Sequence, residues 1–161
     1  MSIETAAHAR AVTDSDTILA TVDVVSDAER VFRALTTDEV ERWWGSAEVY
    51  RVTEWKADVR AGGRWSLVVR SPDGSAFPAS GRFIEVRAPH KFVQTRQYDW
   101  DAPGLGRRET TVTFRLDPSW TGTRVTVRHD GFAGLSEAAC EHAAGWERFL
   151  GWLSEYLDSE V

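Results

Sequence analysis

The sequence contains a single cysteine, Cys140, among its 161 residues. One thiol cannot form an internal disulfide, and the four histidines lack the close Cys/His spacings of a metal site. A chain of this length buries about 70% of its unfolded surface, which is enough for one stable domain. We therefore predict a single domain in a reducing cytoplasm, with no metal.

Lysine is also scarce, with two residues in the chain, and the formal net charge is -6. Non-specific phosphate binding requires an excess of Lys and Arg, so we expect no nucleic-acid partner.

The start of the chain lacks both a basic segment and an apolar core, so it predicts neither a signal peptide nor a membrane contact. We expect residues 1–16 to be a flexible tail and residues 17–161 to be the folded domain. The excess of Arg and Ala over Lys is typical of a GC-rich bacterial genome.

The longest amphipathic stretch runs from Ser136 to Asp158 and predicts one long helix. At about 100° per residue, its apolar side chains share one face and its charged side chains lie opposite. A face of this width needs a large partner surface, and most of the preceding chain is predicted as strands. We therefore expect a sheet that wraps around this helix. The apolar face comprises Ala139, His142, Ala143, Trp146, Phe149, Leu150, Leu153 and Leu157.

Seven segments show the alternation and turn boundaries of strands, and their short connections favour antiparallel neighbours. Alternation in the last two directs Phe114, Val127 and His129 inward. The facing of the strands around Phe83 and Val93 stays open. The seven segments are residues 17–25, 49–55, 64–70, 79–87, 91–98, 110–116 and 123–129.

Two start signals between the first and second strands predict two short helices. Ser26 and Glu29 have the spacing of a capping box, in which each side chain satisfies a free amide of the first turn. Thr36 or Thr37, followed by two acidic residues, opens a second helix that ends around Trp43, Trp44 and Gly45. The fold class is therefore α+β.

This order of elements resembles the helix-grip fold of the START and birch-pollen-allergen-like superfamily, also called SRPBCC. Within it, the chain is most similar to the domain homologous to the activator of the heat-shock-protein-90 ATPase, from about Thr17 to the end. Ligand carriers, cyclases, hydrolases and co-chaperone domains share this fold, so the resemblance leaves these functions open. Residues that carry the resemblance are 31–36 (VFRALT), Trp43–Trp44, 58–63 (DVRAGG), 81–86 (GRFIEV), 111–114 (TVTF), 122–127 (GTRVTV), Gly145–Trp146, Leu150 and Leu153.

Two pairs of residues that are close in sequence are unsuited to catalysis, because the predicted strand and helix direct the two side chains of each pair apart. His129 and Asp130 are neighbours on a strand and point to opposite faces. Cys140 and His142 are two apart on a helix, on different sides of its axis. His129 and His142 could instead face one cavity, where a neutral imidazole could orient a ligand or act as a base. The alternative is that both are satisfied by neighbouring groups.

Eight tryptophans supply much rigid apolar surface, and several converge between the predicted helix and sheet. We predict a cavity there that binds a small apolar or aromatic molecule without chemical change. The alternatives are an enzyme of the cyclase, dehydratase or hydrolase type, and a co-chaperone-like partner-binding module. No cofactor motif or nucleophile elbow is present, so we assign no cofactor and no catalytic residue. The predicted ligand-binding residues are Trp43, Trp65, Phe114, Val127, His129, His142, Trp146, Phe149, Leu150 and Leu153.

Trp152 and Tyr156 lie on the flank of the predicted helix, away from its apolar face. Something should cover these large side chains. The short helices, the N-terminal tail or a second subunit could do so, and we predict a homodimer through this flank.

Overall fold

The computed structural model describes residues 9–14 and 16–160, which form one antiparallel sheet and three helices. Hydrogen-bonded neighbours follow the order β1-β2-β9-β8-β7-β6-β5-β4-β3. The elements are β1 (Arg10–Asp14), β2 (Thr17–Val24), α1 (Ala28–Thr36), α2 (Val40–Trp43), β3 (Gly45–Ser46), β4 (Tyr50–Ala57), β5 (Arg64–Arg70), β6 (Ala76–Arg87), β7 (Lys91–Tyr98), β8 (Thr110–Pro118), β9 (Thr123–Asp130) and α3 (Ser136–Asp158).

The predicted α+β helix-grip architecture is confirmed, with two more strands than the seven expected. All seven predicted strands are present with small shifts at their ends, and the bounds of α3 are those predicted. The additional strands are β1 and the two-residue β3. The two-residue β3 is too short for the alternation of side chains to be recognised in the sequence.

The predicted flexible tail is wrong for Arg10–Asp14, which form β1 and pair with β2 from Arg10 opposite Thr21 to Asp14 opposite Thr17. The backbone amide of Ala11 also donates to the Glu147 carboxylate on α3, at 2.9 Å. These side chains are mostly exposed, so the segment lacks the apolar pattern of a core strand. Residues 1–8 of the predicted tail lie outside the described part of the chain.

The first short helix begins one residue later than the capping box predicted. Asp27, rather than Ser26, is the N-cap, and its carboxylate accepts from the backbone amide of Arg30 at 2.8 Å. Ser26 lies outside the helix, where its carbonyl accepts a hydrogen bond from the hydroxyl of Thr123, the first residue of β9, at 2.7 Å. Both residue types are good N-caps, so this tertiary contact decides between them.

Helix α3 lies against the sheet, and strands near both ends of the sheet contact it. Leu150, Leu153 and Leu157 on its inner face have no exposed surface. At one end of the sheet, β1 contacts α3 through the Ala11–Glu147 hydrogen bond described above. At the other end, the Tyr50 ring of β4 packs edge-on against Trp152, with centroids 5.7 Å apart. The sheet therefore holds the helix from two sides.

Strand β7 directs alternate residues toward the helix, which resolves the facing left open by the sequence. Phe92 is buried in the core, and Arg96 and Tyr98 follow on the same face beyond Gln94. Ambiguity in the neighbouring strand β6 has a structural cause, because its pairing with β7 shifts between Phe83 and Glu85. The bulge interrupts the period of two on which the prediction depends.

Candidate functional site

A pocket of about 220 Å³ lies between α3, β7 and the segment around α2 and β4. Helix α3 supplies one wall, and the inward-facing end of β7 supplies the other. Most of the walls are aromatic, and the polar groups come from two arginines, a glutamate, two tyrosines and a histidine. The lining residues are Trp44, Tyr50, Arg96, Tyr98, Glu141, His142, Gly145, Trp146, Arg148 and Phe149.

Three of the ten residues predicted to bind a ligand line this pocket: His142, Trp146 and Phe149. The other seven are at most 4% exposed and belong to the packed interior behind it. The space between the centre of the sheet and the helix is therefore filled by side chains. The seven interior residues are Trp43, Trp65, Phe114, Val127, His129, Leu150 and Leu153.

The sequence interpretation missed the residues that give the pocket its charge and its open space. Arg96 and Tyr98 were missed because the facing of β7 was left open. A signal was available, since residues an even number of positions apart on a strand share a face. Phe92, Arg96 and Tyr98 are so spaced, and an inward Phe92 therefore implies an inward Arg96 and Tyr98. Trp44 was missed beside Trp43 because α2 is too short for a helical face to be assigned. Tyr50, Glu141, Gly145 and Arg148 carried no clear signal.

His129 lies directly behind the pocket wall, in a chain of hydrogen bonds. Its Nδ1 accepts from the Trp146 indole N–H at 3.0 Å, and an indole can only donate. Its Nε2 therefore carries the proton and donates to the Thr110 hydroxyl at 2.7 Å. That hydroxyl donates in turn to the Arg96 carbonyl at 3.2 Å. Both ring nitrogens are thus used within the core.

His142 borders the pocket itself and is also fully engaged. Its Nδ1 donates to the Ala138 carbonyl at 2.8 Å, because a carbonyl can only accept. Its Nε2 accepts from the Tyr98 hydroxyl at 2.9 Å. The two histidine rings lie edge to face with centroids 5.9 Å apart, but His142 lines the pocket and His129 does not, so they do not face one cavity.

Both histidines are held neutral by their surroundings. Burial lowers the pKa of His129 well below its ordinary value, and the positive charge of Arg96 lowers it further. Burial also lowers the pKa of His142, against the hydrogen bond to Ala138, which raises it. Neutral rings fit the donor and acceptor roles that their partners require.

Arg96 is the charged centre of the pocket. Its guanidinium carbon lies 5.7 Å from the ring centroids of Trp44 and Trp65 and 5.6 Å from that of Tyr98. Contacts of this kind stabilise a cation by about 0.5–2 kcal/mol each and fix its position. Within residues 9–14 and 16–160, no carboxylate lies within ion-pair distance of this guanidinium and no group accepts a hydrogen bond from it.

Trp152 and Tyr156, which were expected to need a cover, have partners within the chain. The Tyr156 hydroxyl donates to Glu39 at 2.7 Å, and the Arg30 guanidinium lies over the tyrosine ring at 5.7 Å. Trp152 contacts Tyr50, as described above. The short helices and β4 thus cover this flank, and the homodimer stays a prediction.

Further depressions lie on the surface of the described part of the sheet. One of about 710 Å³ surrounds the exposed Trp120 beside the turn that joins β8 to β9, and one of about 360 Å³ borders β1 and β2. In the described residues, no group of His, Cys, Asp and Glu side chains converges in the way a metal ion requires. No described helix combines the length and apolarity needed to span a membrane.

Several solved structures share this architecture. A protein from Rhodobacter sphaeroides superposes with a TM-score of 0.80 at 23% identity, covering 94% of this chain and 99% of that one. One from Nitrosomonas europaea superposes with a TM-score of 0.76 at 24% identity, covering 93% and 99%. At such identities the likeness shows the fold alone.

An AHSA1-like protein from Aeromonas hydrophila superposes with a TM-score of 0.71 at 22% identity, covering 89% of this chain and 93% of that one. No curated protein matches the sequence. Residues 26–158 match the family described as "Activator of Hsp90 ATPase homolog 1-like protein", which confirms the resemblance inferred from the sequence motifs. The chain belongs to the Activator of Hsp90 ATPase homolog 1-like family.

Proposed function

We propose that the protein binds a small aromatic or apolar molecule in the pocket between α3 and β7. The observation that carries this proposal is an aromatic pocket of about 220 Å³ beside an otherwise packed core. An apolar cavity of about 150 Å³ is sufficient for benzene, so this volume suits a single ring with a small substituent. Aromatic walls with a few fixed polar groups are typical of small-molecule sites.

The helix itself contributes to the space available. Gly145 lines the pocket, and a Cβ added there would meet only the Arg148 guanidinium, at 3.8 Å. A longer side chain at this position would therefore extend into the pocket without striking the backbone. Gly151, six residues further along α3, has open space around it and does not line the pocket. The two glycines form a matched pair for testing the site.

Binding without catalysis is favoured by the state of the two histidines. An acid or base in the pocket would come from His142, its partner Tyr98 or the exposed Glu141, since His129 does not line the pocket. Every ring nitrogen of both histidines is already hydrogen-bonded, and a lowered pKa makes His142 a weak base. These features suit a fixed wall better than a proton-transfer group.

The test is a thermal-shift screen of single-ring aromatic metabolites, with native mass spectrometry of the purified protein to detect a bound molecule. A ligand at a free concentration of about a hundred times its Kd stabilises the folded protein by about 2.7 kcal/mol. For a chain of this size that corresponds to a rise in Tm of roughly 5 to 10 °C. We expect Gly145→Leu to abolish the shift and Gly151→Leu to retain it. Equal shifts in the two variants, or no ligand in either experiment, would exclude this pocket as the binding site.

A further inference from the structure

Arg96 differs from Arg30, the other partly buried arginine in the described residues, in having no counter-charge. Arg30 is 16% exposed and forms ion pairs with Glu39 and Glu160. Arg96 is half-buried on β7, yet no carboxylate in the described part of the chain lies within 4 Å of its guanidinium. A cation taken partly out of water without a partner is costly, so its presence needs a reason.

The aromatic rings around Arg96 fix its position but leave its charge uncompensated. Trp44, Trp65 and Tyr98 each lie about 5.7 Å or less from the guanidinium carbon. A ring face attracts a cation through its quadrupole and carries no net charge. The field of Arg96 accordingly reaches His129 and His142, contributing to the lowered pKa of each.

The neighbouring polar groups do not neutralise the pocket. The Tyr98 hydroxyl proton is committed to His142, so this oxygen offers lone pairs rather than a hydrogen to a ligand. Arg148 and Glu141 stand exposed on α3 at the pocket surface, and their opposite charges offset each other. One positive charge therefore remains, on a planar group with N–H donors that suit a carboxylate.

We propose that the ligand of this pocket is a single-ring aromatic carboxylate whose carboxylate pairs with Arg96. The ring lies against the aromatic walls of the pocket, and the carboxylate takes the place of the missing counter-charge. This inference rests on the proposed binding function and names the chemical class of the molecule. A carboxylate fits better than a larger anion because a pocket of about 220 Å³ must also hold the ring.

Matched pairs of acids and their primary amides test the proposal. Benzoate, phenylacetate and 3-phenylpropanoate are compared with benzamide, phenylacetamide and 3-phenylpropanamide by isothermal titration calorimetry at low ionic strength. Each pair has nearly the same shape and differs in charge. We expect at least one acid to bind tenfold or more tightly than its amide, and this advantage to shrink as salt is added.

Variants assign the effect to Arg96. Arg96→Gln should remove the advantage of the acid over the amide. Arg115→Gln, at an exposed arginine outside the pocket, should keep that advantage. Arg96→Lys, which keeps the charge, should retain part of the preference and serves if the glutamine variant fails to fold. Equal binding of acid and amide to the natural protein would overturn the carboxylate proposal and leave the proposed function standing. No binding of any pair would overturn both.

Discussion

The two histidines at the centre of the molecule act as neutral hydrogen-bonding groups. Trp146 fixes the tautomer of His129, because its indole N–H must be accepted by an unprotonated nitrogen. Protonation would replace this hydrogen bond by two facing donors in a buried position, close to the positive charge of Arg96. The fold therefore excludes the charged ring.

This exclusion predicts a pH dependence of stability. The folded pKa of His129 lies below the value of about 6.5 in the unfolded chain, so the unfolded state binds more protons as the pH falls. The free energy of unfolding should therefore decrease below about pH 6.5, by up to about 1.4 kcal/mol per pH unit for this residue. Urea denaturation at pH 7, 6 and 5 measures the slope. His142 adds to it in the same direction.

His129→Gln isolates the contribution of His129. A glutamine amide offers one acceptor for Trp146 and a donor for Thr110 but does not titrate. The slope of the variant should be lower than that of the natural protein by up to about 1.4 kcal/mol per pH unit. Identical slopes would show that His129 is not the source of the acid sensitivity.

At the scale of the elements, the strands under the pocket depend on a close approach at Gly81. The Trp65 indole donates to the Thr95 carbonyl at 3.0 Å, and Gly81 on β6 lies against both groups. A Cβ at Gly81 would lie 1.9 Å from the Thr95 oxygen, which is backbone and cannot swing aside. The absence of a side chain thus lets Trp65 reach β7 beneath Arg96.

Gly81→Ala should destabilise the protein by about 3 kcal/mol, near the upper end of the usual overpacking costs. The control is Gly151→Ala in α3, where nothing lies within 4 Å of the new methyl group. There, better helix propensity should stabilise by about 0.5–1 kcal/mol. Urea denaturation of both variants decides the matter. A loss below about 0.5 kcal/mol for Gly81→Ala would mean that β6 and β7 can move apart.

The elements also show how far the sequence could predict the fold and the site. Helix α3 and the seven longer strands were predictable because each repeats its apolar pattern several times. Strand β1 was missed because its side chains are mostly exposed and its pairing is made by the backbone. Arg96 and Tyr98 were missed because the adjacent apolar residues Phe92 and Val93 left the facing of β7 open. Long-range packing, rather than periodicity, decides which side chains border the pocket.

At the scale of the whole molecule, Glu39 connects the short helices to the end of α3. Its carboxylate accepts from Arg30, Arg33 and Tyr156, and its side chain is 12% exposed. Burial raises the pKa of Glu39, but the hydrogen bonds from Arg30 and Tyr156 outweigh burial and lower it. One acidic group thus joins α1, the start of α2 and the last turns of the long helix.

Tyr156→Phe should lower the free energy of unfolding by about 1.5–3 kcal/mol, the usual range for a hydrogen bond to a charged group. The ring remains, so its packing against Arg30 is retained. A double-mutant cycle with Glu39→Gln, measured by urea denaturation, should give a coupling of at least about 0.5 kcal/mol. Additive losses in the cycle would show that the two side chains act independently.

The tryptophans give the molecule an optical property that follows from their packing. Trp43 and Trp44 are stacked at 6.1 Å with planes 16° apart, and Trp55 and Trp65 are stacked at 6.1 Å with planes 22° apart. Neighbouring indoles in a fixed chiral arrangement couple their electronic transitions, which gives a circular dichroism signal that disappears with tertiary packing. Trp44 belongs to the pocket and Trp55 does not. A molecule entering the pocket would therefore perturb one chromophore pair more directly than the other, making the protein its own spectroscopic reporter of occupancy.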